Sequence, residues 1–111
     1  MCHAQPVASD LIGGLTADLD SLLVLLHDAD EQHWSRWFRA ARRHVNNRDA
    51  FGLERILQAY GGMGSFNDLV IHPQNGHTIS PDEIGEVNER LETLRTRIYG
   101  AAHQLRREQP S

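Results

Sequence analysis

Apolar residues along the chain gather into four helical stretches separated by polar breaks. Leu15, Leu19, Leu22, Leu23 and Leu26 recur at i, i+4, i+7, i+8 and i+11, the spacing of one helical stripe. Asp10 or Thr16 is the expected start of this helix, and the Gly13-Gly14 pair weakens its opening turn. Asp28, Asp30 and Glu31 form an acidic break. A second helix is predicted over Gln32 to Val45, with Trp34, Trp37, Phe38, Ala41 and Val45 on its buried face. At about 100° per residue, Arg36, Arg39 and Arg43 fall on the opposite face. Asp49 then reads as the N-cap of a short third helix carrying Leu53, Ile56, Leu57 and Tyr60. Gly61 stands where a left-handed C-terminal cap is expected.

The last helix, about Pro81 to Arg106, has the clearest signature. Ser80-Pro81-Asp82-Glu83 supplies an N-cap, a proline at the first helical position and a glutamate at the capping-box position. Ile84, Leu91, Ile98 and Leu105 repeat every seven residues, with Val87, Leu94 and Ala101 between them. Acids gather at its start and arginines at its end, as the helix dipole favours, and Glu86 and Arg90 are spaced for an i,i+4 pair. Such a stripe needs a partner helix, and the leucines of the first helix supply one in antiparallel packing. Between the third and fourth helices, Leu69-Val70-Ile71 leans towards strand and His72-Pro73-Gln74-Asn75-Gly76-His77 towards a turn. A hairpin from Asp68 to Ile79 is expected there. The predicted fold is therefore mainly α: a small antiparallel helical bundle of about four helices with a short β-hairpin insertion. Residues 1–9 read as a flexible N-terminal leader and residues 10–108 as a single helical domain.

With 111 residues, 40% apolar and 23% charged, the composition is that of one soluble globular domain. No apolar run approaches the roughly 20 residues of a membrane helix. No basic region followed by an apolar stretch marks a secretory signal. Cys2 is the lone cysteine, which excludes an internal disulfide and fits a cytoplasmic protein. The net charge of −4 argues against a dedicated nucleic-acid binder. Every basic side chain of the Lys/Arg class is arginine, either a coding bias or a set of forks suited to carboxylate and phosphate.

Gly61-Gly62-Met63-Gly64-Ser65-Phe66-Asn67-Asp68-Leu69 is the stretch that a helical core does not explain. Its glycines admit positive φ and expose backbone amides, Phe66 can anchor the loop, and Ser65, Asn67 and Asp68 set hydrogen-bonding groups beside it. The segment resembles the GGMGSFNDL-type motif of a family of small bacterial proteins with no established activity. The resemblance runs from about Leu53 to Leu105 and implies a fold relative without a reaction.

The loop is no phosphate cradle: a Walker motif needs a lysine, and the G-x-G-x-x-G spacing is absent. His72 and His77, with Asp68 on the same strand face as His72, would suit zinc or iron only with a further ligand. Met1-Cys2-His3 has the histidine-at-three pattern that can hold copper or nickel at a free N-terminus, but a flexible leader accounts for it better. Arg36, Arg39, Arg42, Arg43 and Arg48 beside Trp34 and Trp37 raise nucleic-acid binding, against which the tryptophans are wanted in the core. Asp18, Asp20, Asp28, Asp30 and Glu31 lie near enough to neutralise those arginines. The expectation is a protein-binding module with no catalytic residues, metal or cofactor, of the immunity or inhibitor kind that neutralises a toxin. It would bind through Gly62, Met63, Gly64, Ser65, Phe66, Asn67 and Asp68 and through Arg36, Arg39 and Arg43. Two alternatives stand beside it: a ligand- or metal-binding regulator using residues 61–77, and a small enzyme with a site around Ser65, Asn67, Asp68 and His72.

Overall fold

A computed structural model describes residues 7–47, 49–61 and 64–108, with backbone alone over 7–10. The described residues form four α-helices: α1 Val7–Asp28, α2 Gln32–Asn46, α3 Ala50–Gln58 and α4 Ile84–Glu108. Each packs on the next, and α4 closes the ring against α1. Pairs across the contacts fix the directions. Arg42 reaches Asp20, Trp37 bonds Arg55, and Arg106 reaches Glu54 while Tyr60 bonds Arg95. In the last contact residue numbers rise on one side as they fall on the other, and the short connections before Gln32 and Ala50 fold α1 back on α2 and α2 back on α3, so these neighbours run antiparallel, and α2 runs the same way as α4.

The stripes meet as their spacing requires. Leu15, Leu19, Leu22 and Leu26 of α1 and Leu91, Leu94, Ile98 and Leu105 of α4 are buried together, with Leu25 and Ala102 beside them. The helix α1 begins at Val7, before the expected starts, and runs unbroken through Gly13 and Gly14. Two interior glycines cost roughly 1 kcal/mol each, less than burial of the leucine stripe returns at about 1.5–3 kcal/mol per side chain. Residues 1–6 of the expected leader lie outside the described residues.

The acidic break after α1 is a Schellman turn. Asp30 adopts φ 61°, Glu31 N–H donates to Leu26 O at 2.8 Å and Asp30 N–H donates to His27 O at 3.0 Å. Aspartate is one of the few residues besides glycine that tolerates this conformation. Glu31 then caps α2, its carboxylate accepting from Trp34 N–H at 3.0 Å. Asp49 caps α3 as expected, accepting from Phe51 N–H. Gly61 is not left-handed: α3 ends instead in tight bonds from Ala59 N–H to Ile56 O and from Tyr60 N–H to Leu57 O. Proline starts a 3-10 turn, Pro81–Glu83, that runs straight into α4, but the Ser80 hydroxyl caps no backbone amide and bonds Glu83 Oε1 instead.

The expected hairpin does not form. Among the described residues there is no strand; the segment from Phe66 to Glu83 is extended chain punctuated by 3-10 turns at Phe66–Asp68, Pro73–Asn75 and Pro81–Glu83. A two-residue Asn-Gly hairpin of type I′ needs positive φ at both residues. Here only Gly76 is left-handed, at φ 85°, while Asn75 ends a 3-10 turn. The extended backbone finds its partners elsewhere. Asn88 of α4 pairs with both the N–H and the C=O of Ile71 at 2.8 Å, and Thr78 N–H donates to Ala29 O at 2.9 Å.

Candidate functional site

The glycine loop is built around Phe66, which is fully buried and sits among Phe38, Trp34 and Tyr60 at ring separations of 4.6–5.5 Å. Phe66 N–H donates to Ala59 O, tying the plug to the end of α3. Every described polar side chain of the loop then closes on its own neighbourhood. Ser65, itself buried, accepts from Asn67 N–H at 3.2 Å; Asn67 donates to Tyr60 O at 3.2 Å; Asp68 accepts from Gly64 N–H at 2.8 Å. Gly64 holds φ 76° with open space about it, so conformation rather than room excludes a side chain there. Gly62 and Met63 lie outside the described residues.

From α4, Arg95 grips the far side. Its guanidinium donates to Phe66 O at 2.8 Å and Leu69 O at 3.1 Å, pairs with Glu92 and lies 5.6 Å from the Phe66 ring. Tyr60 donates its hydroxyl to Arg95 O at 2.7 Å and packs its ring 4.9 Å from Tyr99. Burial pushes the Tyr60 hydroxyl well above the usual phenol range, although Arg95 beside it pulls the other way. The result is an open notch of about 220 Å³ beside the loop, lined by Tyr60, Asn67, Glu92, Arg95, Thr96 and Tyr99. Tyr99 is 42% exposed. Sequence reasoning missed Arg95 and Tyr99: both sit on the shoulder of the α4 stripe, and nothing local to them signals a loop some 30 residues away.

The histidines do not assemble as a metal pair. His77, only 8% exposed, accepts from His72 N–H through Nδ1 at 3.1 Å and meets Glu31 Oε1 through Nε2 at 2.7 Å. With Nδ1 accepting, Nε2 carries the proton and donates to Glu31. His72 turns its own Nδ1 to Gln74 N–H, and Asp68 is taken by Gly64. Among the described residues no three His, Cys, Asp or Glu side chains gather as a metal site. The Ser65, Asn67, Asp68 and His72 set likewise shows no hydrogen bond from a histidine ring to Ser65 or Asp68. Cys2 and His3 lie outside the described residues.

Arg36, Arg39 and Arg43 are exposed on the outer face of α2, as the wheel predicts. Of the acids expected to neutralise them, Asp20 pairs with Arg42, Asp18 with Arg97 and Glu31 with His77. Among the described residues Arg36, Arg39 and Arg43 make no ion pair. Arg36 and Arg39 border an open cleft of about 510 Å³ at the α1–α2 corner, with His27, Asp28 and Asp30. Because Arg36 points away from Trp34 and Phe38, which face Phe66, the arginine row and the glycine loop lie on different sides of the bundle. The tryptophans are half-buried rather than buried. Trp37 lies under Arg55, 4.1 Å from the guanidinium carbon, with Nε1–H bonded to Arg55 O, so this face is closed to a nucleic-acid base.

No helix among the described residues is long and apolar enough to cross a membrane. Neither the curated proteins nor the solved structures gave a match to this chain. Residues 27–80, which hold α2, α3, the whole glycine loop and the His72–His77 turn but almost nothing of α1 and none of α4, match the family model described as Domain of unknown function (DUF6966).

Proposed function

We propose that this chain is a small cytoplasmic protein-binding module, of the immunity or inhibitor kind, that docks a partner on the loop side through Tyr99, Tyr60 and Asn67. One observation carries the reading. The loop is fixed by bonds that consume its own polar groups, and beside it stands a preformed notch of two packed tyrosines whose outer ring is open to solvent. Tyrosine is enriched at interface centres because it presents a large rigid surface with a polar end. A braced loop loses little conformational freedom on binding, so a small contact suffices. Ser65, Phe66 and Asp68 hold this surface rather than touch the partner, while Asn67 lies at its rim.

The test uses the full chain as bait in lysate of the source cells. A partner captured by wild type and by Arg39→Glu should be lost at least about tenfold with Tyr99→Ser, whose fold is checked by circular dichroism. Capture that ignores both Tyr99→Ser and Asn67→Ala places the contact elsewhere. If the partner, expressed alone, does not slow growth, or if this chain does not restore it, the toxin-neutralising role is wrong.

A further inference from the structure

The cleft at the α1–α2 corner holds opposite charges that do not pair. Asp28 and Asp30 line it at the turn between the helices, and Arg36 and Arg39 line it along α2, around an open volume of about 510 Å³. A cleft of that size accommodates a small molecule. Glu31 lines it as well, yet no ion pair joins any of the three carboxylates to either arginine. Glu31 gives one oxygen to His77 and the other to Trp34 N–H. Asp30 accepts from Gln32 Nε2 at 3.3 Å, and Asp28 has only the His27 ring, 3.7 Å away. Arg39 is held by a neutral group: its Nη2 donates to the Ser35 hydroxyl at 3.4 Å, which turns the side chain back along α2 into the cleft. Ser35 is 6% exposed, and among the described residues its hydroxyl proton meets no acceptor. A buried donor left in that state costs about 1–3 kcal/mol, so an oxygen brought to it by a ligand restores a missing bond.

We propose that this cleft binds a zwitterion of dipeptide size, its carboxylate on Arg36, Arg39 and the Ser35 hydroxyl and its ammonium against Asp28 and Asp30. The charges select the class. A guanidinium fork matches a carboxylate, whereas three acids round the same cleft oppose a dianion such as a phosphate monoester. The spacing selects the length. Asp30 stands level with Gln32, to which it bonds, and the Arg39 guanidinium stands level with Ser35. Three residues of helix rise about 4.5 Å. A free α-amino acid carries both charges on one carbon and reaches only one end. Two residues of extended chain span at most about 7 Å, enough to reach both.

The probe is alanyl-alanine, titrated into the isotope-labelled full chain and followed by amide NMR shifts. Saturable binding is expected, with a Kd of about 1 mM or tighter and shifts centred on Asp30 to Arg39 and Thr78. Removing one charge of the probe, as in N-acetyl-alanyl-alanine or alanyl-alaninamide, should weaken binding at least about tenfold, and glycine should bind as weakly. Arg36→Gln with Arg39→Gln should weaken alanyl-alanine by a similar factor, and so should Asp28→Asn with Asp30→Asn, since asparagine also tolerates the left-handed backbone at position 30. The spectrum of each variant reports its fold, and the capped probes test the wild type without any substitution. No saturation by about 10 mM alanyl-alanine overturns the proposal. Binding indifferent to the arginine pair does so too, as does equal binding of either capped probe; if the acetylated one binds equally, the cleft is a plain anion site. Alanyl-alanine should leave partner capture through Tyr99 unchanged, so the two readings fail separately.

Discussion

Asn88 stands where a second strand would have stood. Its carboxamide accepts from Ile71 N–H and donates to Ile71 C=O, the exchange a strand neighbour makes, while also reaching Ile84 O within its own helix. Asn88→Ala leaves two polar groups of a fully buried residue without partners and should cost about 1–3 kcal/mol, read as a lower urea midpoint. A loss under about 0.5 kcal/mol would mean that burial of the Ile71 side chain alone holds the segment. Tyr60 makes a second test, by pH. Its hydroxyl titrates near 10.0 in the unfolded chain and higher in the folded one, raised chiefly by burial. Its contribution is complete below pH 10 and is lost as pH rises above it, because only the unfolded state ionises there. The melting temperature should fall from pH 9 to pH 11, and Tyr60→Phe should flatten that fall. At this scale the sequence was partly legible. Asp49 declares itself as a cap by position, and Phe66 as an anchor by its setting. Asn88 and Arg95 do not, because what they hold is remote in the chain and visible only after α4 has packed.

Periodic elements were the readable ones. The seven-residue stripe of α4 and the leucines of α1 specify faces because a helix sums many weak preferences over several turns; most of both faces is buried where expected, while Leu23, Ile84, Val87 and Ala101 are only partly covered. Leu94→Ala should therefore cost about 2–5 kcal/mol, whereas Glu92→Ala, on the exposed side and losing only its ion pair with Arg95, should cost no more than about 1 kcal/mol. Equal losses in urea unfolding would show that the face is misassigned. The insertion was misread because Leu69-Val70-Ile71 has strand propensity and Asn75-Gly76 has turn propensity, yet strand pairing needs a partner strand, and α4 offered side chains first. The half-buried tryptophans lie at the edge of the packed face of α2, where Trp37 is covered by the polar side chain of Arg55 from α3 rather than by an apolar one.

At the scale of the molecule, the segment shared with the family of unknown function holds the loop, the turn and the arginine row but not the helices that bury them. Five core residues come from α1 and five from α4, Leu15, Leu19, Leu22, Leu25, Leu26, Leu91, Leu94, Ile98, Ala102 and Leu105, ten of the nineteen buried apolar residues among the described ones. A peptide of residues 27–80 would expose the inner faces of α2 and α3. It should show little helix and no cooperative melt, whereas residues 7–108 should melt in one transition. A folded 27–80 peptide would show that α1 and α4 are accessories to a smaller autonomous unit.

The turn at Asn75-Gly76 carries a clock. Asparagine before glycine deamidates when the glycine amide nitrogen attacks the side-chain carboxamide and releases ammonia. Both reactants are tethered here: Gly76 N–H donates to Pro73 O at 3.0 Å, and the Asn75 carboxamide donates to Val70 O at 3.0 Å. Ageing at this bond should therefore proceed mainly through molecules in which the turn has opened. Mass spectrometry of stored protein should show Asn75 converting more slowly than in the same stretch as a free peptide. Asn88→Ala, which frees Ile71 next to the acceptor carbonyl of Val70, should speed the conversion towards the peptide rate.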